Sequence, residues 1–498
     1  MPPDGATPWG FLPLLAVMLP VAGMVAALPL GARWAERLAL ALMPVGLLLA
    51  LGTAVAVQAA GAPLWHALGH WAPPLGLALR ADGLSAAMLL AAAVVIGATA
   101  VFARAQFGTP AGAPEARAAF AFWPLLLGIW GATNLALVAN DLFTAYVALE
   151  LLTFAAMPLV ALDGRRETLA AALRYLMFAL LGSVLYLLGA ALLYGVAGTL
   201  DVVLLAGRVD GSLPVVVAAA LMTAGLLAKT ALLPLHLWLP PAHAGAPAAG
   251  SAVLSALVVK GSFVLLLRLW YGVLAGIPGP AAGQLLAALG AAAILLGSVA
   301  ALAQPRLKLL VAYSTVAQIG YLFLMFPLMA AMPDTETAAK AWTGGILQAV
   351  SHALAKAAMF LAVGLMAARI GHDRLDGLAG AGRAAPVPLL TFGLAGLTLM
   401  GVPPSGGFAA KWLLLSAAIE GGQWWWALVI LAGGLLTGGY VYRVLAAGLA
   451  GGGAGPPAPR AAAPEAIALG LAILSVLLGL VPLAAFGLVQ VGRMDMLP

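Results

Sequence analysis

No cysteine occurs anywhere in the 498 residues. That excludes disulfides, thiol chemistry and cysteine-held iron–sulfur clusters. Charge is nearly as scarce, at 8% of the chain, against about 25% in an ordinary soluble protein. A soluble fold of this length could not solvate such a surface, whereas lipid can. Soluble-enzyme signatures are missing as well. There is no phosphate-cradling GxxxxGK[ST] run and no dinucleotide fingerprint after a strand, and Gly451-Gly452-Gly453 reads as a linker. The six histidines are scattered and none shares an apolar stretch with a carboxylate, so no metal site is expected. No cofactor is expected either. The basic residues form no cluster, and this excludes a nucleic-acid surface.

What is present is apolar sequence, 64% of the chain. It falls into fourteen stretches of about 20 residues, the length that crosses roughly 30 Å of hydrocarbon. They run approximately 9–30, 38–57, 84–103, 118–138, 142–162, 169–196, 213–238, 249–271, 281–302, 309–329, 344–367, 387–418, 424–445 and 466–488. The first lacks the basic leader and cleavage site of a signal peptide and is counted as a span. The 34 prolines and 60 glycines do not argue against helices, since both are tolerated in membrane helices. The expected fold is an all-α membrane protein of about fourteen transmembrane helices.

Loop charge sets the expected orientation. Arg33, Arg37, Arg104, Arg117, Arg165, Arg166, Arg306, Lys308, Arg369, Arg374, Arg383, Arg443 and Arg460 follow odd-numbered stretches. Only Arg80, Arg208, Arg268, Lys340 and Arg493 are assigned to the other side. Thirteen against five places the first set in the cytoplasm and both termini outside. The expected location is a bacterial inner (plasma) membrane, crossed many times.

The seventh and twelfth stretches are long and interrupted. The seventh contains Lys229-Thr230-Ala231-Leu232-Leu233-Pro234, and the twelfth contains Gly401-Val402-Pro403-Pro404-Ser405-Gly406-Gly407-Phe408, then Lys411. Proline removes a helix hydrogen bond and glycine loosens the backbone, so Pro234, Pro403, Pro404, Gly406 and Gly407 are expected helix-break residues. Broken helices at corresponding places in two halves point to a transport site. An offset of five spans inverts the direction of travel, so an inverted five-helix repeat is expected. Residues 1–117 would hold the first three helices, 118–271 one half-channel, 281–449 the second, and 463–498 the last helix and C-terminus.

Most charges lie in loops or at span ends. Glu150, Lys229, Lys260, Lys356 and Lys411, with His352, lie deep. A charge at the bilayer centre costs about 2.5–3.5 kcal/mol on insertion scales. One such lysine could snorkel or pack in an ion pair; five deep charges in one chain point to a conducting path. Burial disfavours an ammonium and a nearby carboxylate favours it. Glu150 paired with Lys229 would therefore switch a proton on and off the lysine, while Lys260 and Lys411 pass protons onward through water. His352 and Lys356 sit at i and i+4, on one helical face, and histidine titrates nearest physiological pH.

With these residues in view, the chain resembles the antiporter-like subunits shared by respiratory complex I, Mrp-type cation/proton antiporters and membrane-bound hydrogenases. The resemblance rests on Lys229 to Leu233, then Pro234-Leu235-His236-Leu237-Trp238-Leu239-Pro240 with Ala242-His243 and Ala246-Pro247. It continues through Lys260, Ala312-Tyr313-Ser314-Thr315, Gln318-Ile319-Gly320-Tyr321, His352, Lys356, and Gly406-Gly407-Phe408 with Lys411. It implies fourteen helices, two inverted half-channels and a hydrated polar axis along the membrane midplane. By position Glu150 is similar to the family's fifth-helix glutamate, Lys229 and Lys260 to its seventh- and eighth-helix lysines, and Lys411 to its twelfth-helix terminal residue. The chain lacks the extension past the fourteenth helix usual in the largest complex I subunit of this kind and in the largest, A-type, Mrp component. It also carries Lys411 where a middle complex I subunit usually carries glutamate. The resemblance thus implies a proton-translocating subunit of the Mrp D type, beside other membrane subunits in a hetero-oligomeric complex, with Na+ or K+ as exchanged cation and no catalysis of its own. The alternative is the corresponding subunit of an NADH-quinone oxidoreductase or membrane-bound hydrogenase.

Overall fold

The computed structural model describes residues 6–110, 112–331, 335–451 and 462–493. Arg460 and most of the glycine linker, Gly452 and Gly453, lie outside these, as do the two chain ends. With no water inside a bilayer, backbone polar groups must be satisfied within the segment, which selects helices. Among the described residues twelve helices are long and apolar enough to cross a membrane, and two shorter apolar ones, Phe11–Ala27 and Pro386–Met400, accompany them. Each of the fourteen apolar stretches coincides with one of these.

Burial grades from centre to rim. The eighth span, Ala248–Val273, has its apolar window wholly inside the protein, and the tenth, Leu307–Ala330, 89% inside. The second, Ala32–Ala60, and the thirteenth, Trp424–Leu449, are 39% and 33% buried and present apolar flanks outward. The eleventh, Glu336–Ile370, is 72% inside, so the helices that carry Lys260 and Lys356 are largely covered by other helices.

Glycine brings two helix pairs into backbone contact. A Cβ on Gly225 of the seventh helix would lie 2.3 Å from the Gly182 carbonyl oxygen of the sixth. Likewise, one on Gly320 would lie 2.3 Å from the Gly290 oxygen. Small residues at such crossings are how membrane helices approach closely. Gly182 also leaves the room in which the Lys229 stem lies, since a Cβ there would meet Lys229 Cγ at 3.1 Å.

Both expected interruptions are present. The seventh helix, Leu213–Thr230, stops at Ala231, whose φ is +59°, and a short helix Leu239–Gly245 resumes after the turn. The twelfth stretch divides into Pro386–Met400 and Gly406–Glu420 around Gly401 at φ +83°. Glycine relieves the steric penalty of that left-handed turn.

One end of the bundle carries an antiparallel hairpin, Leu64–Ala67 with Ala78–Ala81. Here the structure corrects the loop assignment of two arginines. Arg80 is fully buried in the hairpin, and Arg268 is 4% exposed at the end of helix Val259–Arg268. Their shared partner is Asp82, 2.6 Å from Arg80 Nη1 and 3.6 Å from Arg268 Nη2. Arg80 also donates to the Gly492 carbonyl, and Arg268 to Ser85 and to the Leu137 carbonyl. Burial alone would raise the Asp82 carboxyl, but the Arg268 and Arg80 guanidiniums with Ser85 hold it below the usual range. An opposite charge brought in by the hairpin is the reason these cations sit inside the protein.

Candidate functional site

Glu150 and Thr153 lie one turn apart on helix Leu142–Val160 and face the end of the seventh helix. Lys229 Nζ stands 3.3 Å from Glu150 Oε1 and donates to Thr153 Oγ1 at 3.0 Å. Ser183 of the sixth helix donates to the same Glu150 oxygen. The lysine and glutamate side chains are 6% and 16% exposed. Thr230, beside Lys229, donates its hydroxyl to Ser262 at 2.9 Å and so joins the interruption to the eighth helix.

Lys260 is fully buried on that eighth helix. Its ammonium donates to the Ser255 carbonyl at 2.8 Å, within the π-wound segment Leu254–Val258. Such wide turns inside helices are frequent at functional sites. The Ser255 hydroxyl pairs with Thr315 of the tenth helix at 3.0 Å. One residue before Thr315, Ser314 accepts from Lys356, which also donates to the Val311 carbonyl at 2.8 Å.

Lys356 belongs to the longest helix, Glu336–Ile370, where Gln348, His352 and Lys356 follow at successive steps of four on one face. His352 is fully buried, and neither ring nitrogen has a hydrogen-bond partner among the described residues. The charges bearing on it are those of Lys260, Lys356 and Lys411. Gln348 donates to Gln318 at 3.0 Å, and Gln318 donates to the Leu399 carbonyl at 3.0 Å. That carbonyl also accepts Lys411 Nζ at 2.6 Å.

The Lys411 environment follows from the helix break. The last carbonyls of a helix have no partner within it, and Leu399 and Met400 end the helix before the interruption. Lys411 takes both, the second at 3.3 Å, and its ammonium stands 4.1 Å over the Tyr321 ring. At the first break the freed Ala228 carbonyl is taken by the Trp238 indole at 3.0 Å instead. Pro234, Pro403, Pro404, Gly406 and Gly407 all fall in or against the two interruptions. Gly407 is obligatory for close approach, because a Cβ there would lie 1.8 Å from the Thr398 oxygen.

The singled-out ionisable residues therefore stand on the fifth, seventh, eighth, eleventh and twelfth spans along three bonded stretches. These are Glu150 with Lys229, Lys260 through Ser255 to Thr315 beside the Ser314–Lys356 bond, and Gln348 through Gln318 and the Leu399 carbonyl to Lys411, with His352 between Gln348 and Lys356 on one helix face. Reading the residues did not single out Thr153, Ser183, Ser255 or Gln348. Gln348 had a usable signal, four residues before His352 on the same face. Among the described residues no group of three or more His, Cys, Asp or Glu could hold a metal ion.

Residues 139–437, which enclose all of these positions, match the family model described as NADH:quinone oxidoreductase/Mrp antiporter, TM. The chain is 34% identical over 427 residues to the N subunit of the NADH-quinone oxidoreductase of Desulforudis audaxviator, covering 81% of this chain and 79% of that one. It is 28% identical over 353 residues to the D subunit of the Na(+)/H(+) antiporter of Alkalihalophilus pseudofirmus, covering 70% and 68%. Its fold superposes with a TM-score of 0.85 and 26% identity on a chain of the Mrp complex from Dietzia sp. DQ12-45-1b, over 98% of this chain and 97% of that one.

Proposed function

The chain belongs to the NADH:quinone oxidoreductase/Mrp antiporter transmembrane family, and on that premise we propose that it carries protons along the polar run from Glu150 to Lys411, as one subunit of a multisubunit membrane complex. The observation that carries the reading is the Glu150–Lys229 pair, which heads a line of four lysines inside an apolar bundle. While the pair is closed, the carboxylate holds a proton on the lysine. Drawn apart, the ammonium is stranded in a low-dielectric interior and gives its proton to the next group. Lys260, Lys356 with His352, and Lys411 relay it along the run.

Two assemblies fit. The 34% identity to an NADH-quinone oxidoreductase component supports a redox-driven complex. The superposition on a chain of an Mrp complex, with the identity to a Na(+)/H(+) antiporter component, supports cation/proton exchange. Purifying the native complex decides between them. Co-purifying iron–sulfur or quinone-reducing subunits give the first, and Na+- or K+-driven proton movement without them gives the second.

The proton reading is tested by proteoliposomes holding the assembled complex. Glu150→Ala and Lys229→Ala should each abolish proton flux and leave assembly intact, whereas Glu150→Asp keeps the charge on a shorter stem and retains part of it. Wild-type flux from Lys229→Ala would overturn the assignment.

A further inference from the structure

The fourteenth span supplies no proton carrier, yet its end reaches the second helix break. It runs from Ala462 to Leu477 and tightens into the short turn Leu478–Leu480. Near its start Glu465 forms a buried ion pair with Arg369, in the last turn of the eleventh helix. Its other end meets the interruption at three points. Ser475 Oγ pairs with Thr398 Oγ1 at 2.9 Å. Gly479 lies so close to the break that a Cβ there would overlap the Pro404 and Ser405 carbonyl oxygens. Gly406 is wedged between Leu478 and Ser351, the residue before His352: a Cβ on it would stand 3.0 Å from the first side chain and 3.1 Å from the second.

The Thr398–Ser475 bond has a direction. Ser475 has one hydroxyl proton, which goes to the Ala472 carbonyl of its own helix at 2.8 Å, so Thr398 donates and Ser475 accepts. Both residues are buried, where an unpaired hydroxyl is costly. A helical threonine can bond its own preceding turn instead, as Thr391 does with the Val387 carbonyl on the same helix, Pro386–Met400. Thr398 reaches across to another span. The turn it tethers carries the contacts that close the break. The Thr398 oxygen faces Gly407, and the Leu399 and Met400 carbonyls hold Lys411.

We propose that Ser475 and Gly479 are positioning residues for Lys411, and that the end of the fourteenth span sets the Leu399 and Met400 carbonyls at bonding distance from its ammonium. This rests on the reading of Lys411 as a proton carrier. Ser475 holds the half-helix before the break, through Thr398. Gly479 seats the Pro404–Ser405 segment that leads into the half-helix after it. Lys411 stands on the second half and its acceptors on the first, so the spacing between the halves decides whether its bonds form.

The test measures proton flux against pH in proteoliposomes of the assembled complex. Ser475→Ala removes the acceptor, and Gly479→Ala pushes the break away. In each, flux should fall about tenfold, the low end of what one hydrogen bond to a charged group is worth. The pH of half-maximal flux should move by about one unit, the same tenfold step. Ser475→Thr keeps an accepting hydroxyl and should restore the wild-type profile. Thr398→Val removes the donor while leaving the fourteenth span intact. It should reproduce Ser475→Ala, and the two together should be no worse than either. Gly470→Ala on the same span, where a Cβ meets nothing within 4 Å, should change nothing. A merely structural loss would scale flux equally at every pH. It would also cost the same factor in a Lys411→Glu chain, whereas a carboxylate cannot donate to those carbonyls, so positioning predicts no further loss there. If Lys411→Ala is dead while Ser475→Ala and Gly479→Ala keep the wild-type pH profile, the positioning role is overturned and the proton reading stands. If Lys411→Ala itself conducts normally, the proton reading falls and the positioning role with it.

Discussion

Lys229 and Lys411 both stand beside a broken helix, and they are held differently. Lys229 has a carboxylate and a threonine hydroxyl; Lys411 has two backbone carbonyls and the face of Tyr321. Carbonyl dipoles stabilise an ammonium without a counter-ion, and in the proposed relay Lys411 gives up and recovers its proton with none displaced. Lys411→Ala should therefore stop proton flux in proteoliposomes of the assembled complex. Lys411→Glu should retain part of it, since a carboxylate also carries a proton, and His352→Ala should impair less, with Lys356 on the same face. A conducting Lys411→Ala beside a dead His352→Ala would move the terminal carrier to the eleventh span. The lysines and Glu150 were legible in the sequence because each charge is costly in an apolar stretch. Thr153, Ser183 and Ser255 were not, because hydroxyls are common in membrane helices, where they bond the preceding turn, as Ser183 and Thr153 also do.

At the scale of the helix, the interruptions were legible from Pro234 and from the Gly401–Gly407 run, since proline and glycine mark the backbone directly. The resumption at Leu239 and the π-wound Leu254–Val258 were not, because continuous apolar sequence looks the same in either winding. The sixth–seventh helix crossing carries a prediction. Gly225→Leu forces a side chain against the Gly182 carbonyl, and overpacking of this kind costs about 1–3 kcal/mol. It should lower the thermal midpoint of the purified complex and pull Lys229 away from Glu150, so flux falls too. Gly195→Ala on the sixth helix is the contrast: a Cβ there meets nothing within 4 Å, and alanine favours helix by roughly 0.5–1 kcal/mol. Equal melting of the two variants would show that the close crossing is not what holds the pair together.

For the whole molecule, the helical, many-spanning architecture was legible from length and hydropathy, whereas Arg80 and Arg268 were misread. A charge near a span end looks solvated until a distant segment supplies Asp82. Removing these two buried cations from the loop count leaves the charge bias stronger. The arginine-rich end is accordingly expected in the cytoplasm and the hairpin in the outer space. The cysteine-free chain makes this easy to check with single cysteines at Arg166 and at Trp71 in the hairpin. Membrane-impermeant labelling from outside should reach position 71 and spare position 166, and the opposite pattern would invert the topology. The longest helix also ties the two ends together. Near one end Lys340 grips Glu420, the last residue of Gly406–Glu420, with two bonds of 2.9 and 3.0 Å, and Thr337 adds a third; near the other, Arg369 bonds Glu465 of the last span. Gly406–Glu420 is thus tied at both ends, Glu420 by Lys340 and Thr337, and the near end by Gly407 seated on the Thr398 oxygen and Lys411 on the Leu399 and Met400 carbonyls. The Lys411 side chain therefore acts as a splint, joining across the break two half-helices that the backbone leaves separate.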